Sequence, residues 1–421
     1  MNIATVPETN VICPACSHEI SVVKGYVTWC EKCNWNLQAP EPYQPVNIFE
    51  RIYLKAGEKS NKQILDSLLQ KEGSQTVKFS YLKLFTLLAA SLVHIASLVF
   101  FIFGCFLIQN DFPNILFIIL GISLVVLAWF TFPRLERLRQ KPLPRESFPH
   151  LYKLADELSD VLHADKIHGI FIDEKYNASF SQVGWKQRKI LYLGLPLLTV
   201  INKEETVALF SHEIAHGVNG DLNRNLWFGS AVRTLSWWYD ITQPDRSGKS
   251  SIFTIIVDLL LYVLSKIIYL FLYILGHLNW RDAQRAEYLA DQLAATAAGK
   301  HAVQSLLDKL HLYKTFEFTI LKAMNTQREG QLFADLAEQF TSIPAKELER
   351  IQRIARLEHA RLDGTHPPTS FRINYIDALA DEAPAYTMSD DTYASVKSEL
   401  SVLHRGVEKR IMDRYKRAYK Q

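Results

Sequence analysis

The sequence predicts an α+β fold, mainly helical, with a small sheet beside one buried helix, a hairpin of apolar helices and a cysteine-bearing ribbon at the N-terminus. Three observations predict it. Residues 82–108 and 115–132 are almost wholly apolar and flank a short polar turn at 109–114. Strand-like segments at 167–172, 177–183 and 189–193 directly precede a mostly apolar helical stretch that starts at Asn202. Four of the five cysteines fall in two C-x-x-C pairs.

The 421 residues suffice for two or three domains. Hydrophobic residues make up 48% and charged residues 22%, averages that hide the split between membrane-like and ordinary segments. A net charge of +3 is too small to argue for nucleic acid, and no basic stripe with stacking aromatics is present, so no nucleic-acid partner is expected. The N-terminus lacks a basic region followed by an apolar core, so no cleavable signal peptide is expected.

Residues 1–40 form the first unit. Cys13, Cys16, Cys30 and Cys33 flank two expected strands, 20–23 and 26–29, joined at Lys24-Gly25. Four thiolates suit a closed, tetrahedral Zn²⁺ site in a reducing compartment. So few apolar residues cannot fold without the metal. A protein partner could dock on such a ribbon. Residues 41–78 read as a linker, with Pro40, Pro42 and Pro45 at its start, followed by a polar helix over 49–75.

Residues 79–133 read as a transmembrane helical hairpin, each run being long enough for a bilayer span. His94 within it reads as a packed or hydrogen-bonded histidine. Arg134, Arg137, Arg139, Lys141 and Arg145 follow at once. The positive-inside rule then puts them, the ribbon and the following domain on the cytoplasmic side of a multi-pass membrane protein.

Residues 148–299 form the core. Leu151, Leu154, Ala155, Leu158 and Leu162 make a helical stripe, and the three strands follow. Asn202 reads as an N-cap with Glu205 at the capping-box position, and Gly217 and Gly220 read as stop signals. Between them lies His212-Glu213-x-x-His216. Residues four apart share a helix face, so both imidazoles can grip one Zn²⁺. Glu213 beside the first ligand can take a proton from a metal-bound water, whose pKa zinc lowers to about 7.

A membrane-associated helical insert, 222–276, comes next. Its first part carries three tryptophans, and the Gly-Lys-Ser at 248–250 lacks the upstream glycine and strand of a phosphate loop. The run 252–276 is apolar but carries Asp258, Tyr262, Lys266, Tyr269 and Tyr273 as one polar stripe. The best candidate for a third ligand lies beyond it, on a separate helix with Glu287 and Asp291 on one face. A single crossing by 252–276 would put Glu287 across the bilayer from His212, so the expectation is two spans plus a membrane-associated pair of helices. Residues 300–421 are polar helices completing the domain, interrupted by Thr365-His366-Pro367-Pro368. The basic amphipathic stretch 402–421 reads as a solvated face, with anionic membrane lipid as a second partner.

Taken together, Asn177-Ala178, His212-Glu213-x-x-His216, Glu287-x-x-x-Asp291 and Thr365-His366-Pro-Pro resemble the HtpX and CAAX-prenyl-endopeptidase family of membrane zinc metalloproteases. The resemblance runs from about 148 to 372. It implies a zincin-like domain of gluzincin type, with zinc on His212, His216 and Glu287 and Glu213 as general base. It further implies that Asp291 orients a ligand histidine, that Asn177 and Ala178 line the substrate cleft, and that His366 lies near the site and helps stabilise the tetrahedral intermediate. The ribbon and the charged apolar insert depart from the family pattern. The function so implied is hydrolysis of a protein or peptide substrate, in membrane protein quality control or processing. The alternative is a membrane-tethered binding or regulatory protein whose peptidase domain is inactive and whose ribbon recruits a partner.

Overall fold

The computed structural model describes residues 9–39, 48–70, 81–110, 112–135, 137–138, 140–218, 226–243, 252–326, 328, 330–357 and 366–418. The linker at 40–47, Arg139, Gly220, the Gly-Lys-Ser loop and Thr365 lie outside the described residues.

The N-terminal unit pairs β1 (Thr9–Ile12) with β2 (Glu19–Val22) antiparallel, Val11 opposite Ile20. This corrects the expected pairing. Segment 20–23 has its partner before the first C-x-x-C pair, not after Gly25, and 26–29 is not a strand. The Cys13–Cys16 knuckle itself makes the reversal, with Ser17 at φ 58° and its N–H bonded to the Cys13 carbonyl. Ile20, Trp29 and Cys30 are fully buried.

α1 (Ile48–Leu69) buries Ile64, Leu65 and Leu68 against Trp280, Tyr288 and Tyr375. α2 (Tyr81–Asn110) and α3 (Ile115–Thr131) form the apolar hairpin. His94 has the packed role. Its Nε2 lies 2.9 Å from the Trp227 carbonyl and its ring meets Trp227 edge-on at 4.5 Å.

α4 (Pro149–Val161) lays its apolar stripe on the sheet of β3 (Gly169–Asp173), β4 (Ala178–Val183) and β5 (Arg188–Gly194). The strand order is β3-β5-β4, with β3 parallel and β4 antiparallel to β5, so β4 is an edge strand. Where β5 ends, Gly194 donates its N–H to the Asn177 carbonyl at 2.8 Å. A Cβ on Gly194 would sit 1.7 Å from the Lys175 carbonyl oxygen and 2.6 Å from that of Asn177. Gly194→Ala should therefore cost about 1–3 kcal/mol through overpacking and displace the start of β4. Denaturant unfolding of the detergent-solubilised chain measures it; an unchanged midpoint would contradict the close approach.

α5 (Leu195–Val200) leads into α6 (Lys203–Val218). The capping box forms as expected: Glu205 donates its N–H to Asn202 Oδ1 and Asn202 donates its N–H to Glu205 Oε2, both at 2.8 Å. Buried Glu205 also accepts from Ser305 and Lys309, each at 2.6 Å, which ties the start of α6 to the helix Lys300–Leu310. Gly217 does not stop α6. It is helical and lets the Phe180 ring of β4 come close, where a Cβ would lie 3.0 Å from that ring.

α7 (Leu226–Ile241) packs on α2 and α8 through Phe228, Ala231 and Leu235. α8 (Ile252–Ala298) is a single helix of 47 residues. The apolar run and the Glu287 stretch are thus continuous, contrary to the two helices expected. Gly276 alone does not break a helix, and no proline stands between it and Ala298. The first half of α8 exposes Ile255, Leu259, Leu260 and Val263, whereas its second half buries Gln284, Glu287 and Asp291. Among the described residues, two helices are long and apolar enough to cross a membrane, α2 and α8, while α3 is shorter at 17 residues. The protein is membrane-associated through these apolar surfaces.

The remainder is helical: α9 (Lys300–Leu310), α10 (Tyr313–Thr326), α11 (Leu332–Thr341), α12 (Ala345–Arg356), α13 (Thr369–Ala378), α14 (Asp390–Ser401) and α15 (His404–Ala418). α15 is more than a solvated face. Val407, Ile411 and Met412 join the main core, and Arg414 pairs with Glu174 beside the cleft. The ribbon seats on α12. Lys346 donates to the Ser21 carbonyl at 2.7 Å and pairs with Glu31 at 3.1 Å, Arg350 donates to the Leu37 carbonyl at 2.9 Å, and the Arg353 guanidinium lies 4.9 Å from the Trp29 ring centre.

Candidate metal centre and cleft

α6 and α8 pack side by side and bring three donors together. His212, His216 and Glu287 are all buried, and their ligand atoms lie within 4.8 Å of one another. His212 Nε2 is 3.6 Å from one Glu287 oxygen and His216 Nε2 is 3.5 Å from the other. A tetrahedral ion bound at about 2.0–2.1 Å sets its donors about 3.3–3.4 Å apart. The donor set and its spacing therefore fit zinc.

The support beneath is polar and buried. His212 Nδ1 lies 3.1 Å from Asp291 Oδ1. A carboxylate only accepts, so Nδ1 carries the proton and Nε2 is left for the metal. Arg372 of α13 donates to both oxygens of Asp291, from Nε at 2.7 Å and Nη2 at 2.6 Å. Burial disfavours charge on His212, but the Asp291 and Glu287 carboxylates beside it more than offset this and raise its pKa to about 9. Metal entry at neutral pH then releases a proton from this ring. Burial likewise opposes the Arg372 charge, and Asp291 and Glu287 hold it protonated.

Sequence reasoning missed Arg372 as a supporting residue. The available signal was an arginine among Ile373, Tyr375 and Ile376 on the helix opened by Pro367-Pro368.

The other expected residues gather at one cleft of about 940 Å³, lined by Asn177, Ala178, His212, Glu213, Asp291 and His366 among others. Glu213 is 7% exposed. Asn177 is exposed and Ala178 buried, at the start of edge strand β4. His366 is half exposed and lies with Nδ1 2.7 Å from Glu287 Oε2, so it touches an expected ligand directly. Tyr313, Phe316 and Tyr415 add an aromatic wall.

The residues from Leu151 onward match a family model over 151–380, that of Peptidase family M48. The chain belongs to peptidase family M48. This M48 chain is 26% identical over 271 residues to a "Protease HtpX homolog" of Pyrobaculum aerophilum, covering 60% of itself and 74% of that protein. It is 22% identical over 268 residues to a "Protease HtpX homolog" of Pyrococcus furiosus, covering 61% and 80%. Among solved structures it is similar to S. mikatae Ste24p, with a TM-score of 0.29 and 14% identity over 71% of this chain and 67% of that one, a likeness too slight to argue fold from. The M48 domain with its buried His-His-Glu triad is a zincin-type hydrolase site in a membrane-associated chain.

The ribbon holds a second cluster, Cys13, Cys16, Cys30 and Cys33. Cys13 and Cys33 Sγ are 3.7 Å apart, and Cys16 and Cys30 Sγ 3.6 Å. Thiolates on one tetrahedral zinc at about 2.3 Å lie about 3.7–3.8 Å apart, whereas a disulfide would hold them at about 2.0 Å. The cluster fits a metal and not a pair of disulfides.

Proposed function

We propose that this chain is a multi-pass, membrane-anchored zinc endopeptidase. His212, His216 and Glu287 hold the catalytic ion, and the four ribbon cysteines hold a structural one. The observation that carries the reading is the convergence of three donors from α6 and α8 on the cleft that Glu213 lines. A bound zinc would polarise the scissile carbonyl and make water available as a nucleophile near neutral pH.

The protein groups then divide the work. Glu213 takes the proton from the attacking water and passes it to the leaving amine. Asp291, itself held by Arg372, keeps His212 in the tautomer that binds metal. His366 is anchored through Nδ1, which leaves Nε2 to support the oxyanion. Asn177 and Ala178 begin the edge strand at the cleft, where an extended peptide can add by backbone hydrogen bonds.

The organisation we assign is a ribbon (1–40), a linker with a polar helix (41–78), an apolar hairpin (79–133), a catalytic core (148–299) with its membrane-associated insert (222–276) and a helical part (300–421) that completes it. The basic segment after α3 supports a cytoplasmic location for ribbon and cleft. Substrates are then protein segments close to the bilayer, as in quality control or processing of membrane proteins. With one face on α12, the ribbon leaves Val11, Ile12 and Trp35 exposed for a protein partner. A purely tethering, inactive domain gains no support from a site that keeps Glu213 with all three donors.

Metal removal tests the reading. The purified full chain should carry two zinc ions, lose peptide cleavage on chelation of the catalytic one, and regain it with added zinc. Elemental analysis alongside a cleavage assay measures both. Undiminished cleavage by metal-free protein would end the proposal.

A further inference from the structure

Away from the catalytic cleft, a cavity of about 1030 Å³ opens between the end of α3, the described residues 132–135, 137–138 and 140, α7 and the β4–β5 turn. Arg134, Arg137 and Arg233 line it, and among its described lining residues none is acidic. Arg134 is built in. Its backbone N–H donates to Thr234 Oγ1 at 2.7 Å, and its guanidinium lies 3.8 Å from the Trp237 ring centre. Its buried Nε meets no acceptor among the described residues.

A second cavity, of about 550 Å³, adjoins the first and shares Trp129, Phe132 and Trp185 with it. This one runs between α2, α3 and α7 and is lined chiefly by apolar side chains, among them Leu98, Phe101 and Val125. The joined space is amphipathic, with guanidinium groups at one end and hydrocarbon at the other. It lies where an apolar helix gives way to arginines and tryptophans, as at the edge of a bilayer.

We propose that this joined cavity binds one anionic phospholipid. The phosphodiester sits among Arg134, Arg137 and Arg233, for which guanidinium groups are well matched, and one acyl chain lies in the apolar annex. A free phosphate would satisfy the arginines but leave the annex uncovered. A zwitterionic headgroup would bring its own cation against them. Neither cavity shares a lining residue with the catalytic cleft, so the lipid is distinct from substrate.

Native mass spectrometry of the detergent-solubilised full chain tests this with phosphatidylglycerol, phosphatidylcholine and glycerol phosphate. One saturable phosphatidylglycerol adduct is expected, favoured over phosphatidylcholine. Arg137→Gln and Arg233→Gln should each weaken it roughly fivefold. Leu98→Trp, which enlarges an exposed side chain lining the annex and not the arginine cavity, should weaken the long-chain lipid but not a short-chain analogue. Equal uptake of both lipids by the unaltered chain would overturn the proposal, and so would a preference unmoved by all three substitutions. Glycerol phosphate displacing the intact lipid at equal concentration would also overturn it, because the tail would then contribute nothing.

Discussion

Glu213→Gln should leave both zinc sites filled and slow peptide cleavage by about 10²–10⁴-fold. The glutamine keeps the size and one hydrogen-bond-accepting oxygen of the side chain, but its amide cannot take a proton from water. Glu213 is not among the three clustered donors, so the ion should stay. Two measurements separate the roles: zinc content of the purified variant, and comparison of new protein N-termini in membranes carrying the native chain or the variant. Termini present only with the native chain would also name the substrates. If the variant cleaves at the native rate with its zinc in place, another group is the base.

Arg372→Leu should destabilise the fold by about 3–5 kcal/mol, the usual cost of stranding one charge of a buried pair. Asp291 is fully buried and receives two hydrogen bonds from this one guanidinium. With Arg372 gone, Asp291 no longer holds His212 in place, and zinc affinity should fall by about 10–100-fold. Denaturant unfolding and competitive zinc titration read the two effects. The double variant Asp291→Asn/Arg372→Leu should recover part of the stability but not the zinc affinity, since an amide orients the imidazole less firmly. A loss below about 1 kcal/mol for the single variant would show that Asp291 does not depend on Arg372.

The difference between these two residues shows what a single sequence yields. Glu213 was legible because its partners are local: a capping box at Asn202 and Glu205, an apolar helix, and imidazoles one turn apart. Arg372 was not, because its partner Asp291 lies 81 positions away and nothing local to either residue encodes the pairing. The three strands of the catalytic domain were legible from alternation. The ribbon register was not, since two short apolar segments offered 20–23 a partner on either side and only the turn at Cys13–Cys16 decides between them. The continuity of α8 was hidden for a different reason. Hydropathy changes sharply near Gly276 while helical periodicity does not, so a change of surroundings looked like a change of element.

That continuity has a mechanical consequence. Glu287 stands eleven residues beyond Gly276, the end of the apolar run, on the same unbroken rod. At 1.5 Å per residue the carboxylate is held about 16 Å above that point. An extended chain leaving the bilayer covers such a height in about five residues. An apolar half of α8 standing upright in lipid would make this rod a ruler, selecting a bond by its height above the membrane before the side chains around it.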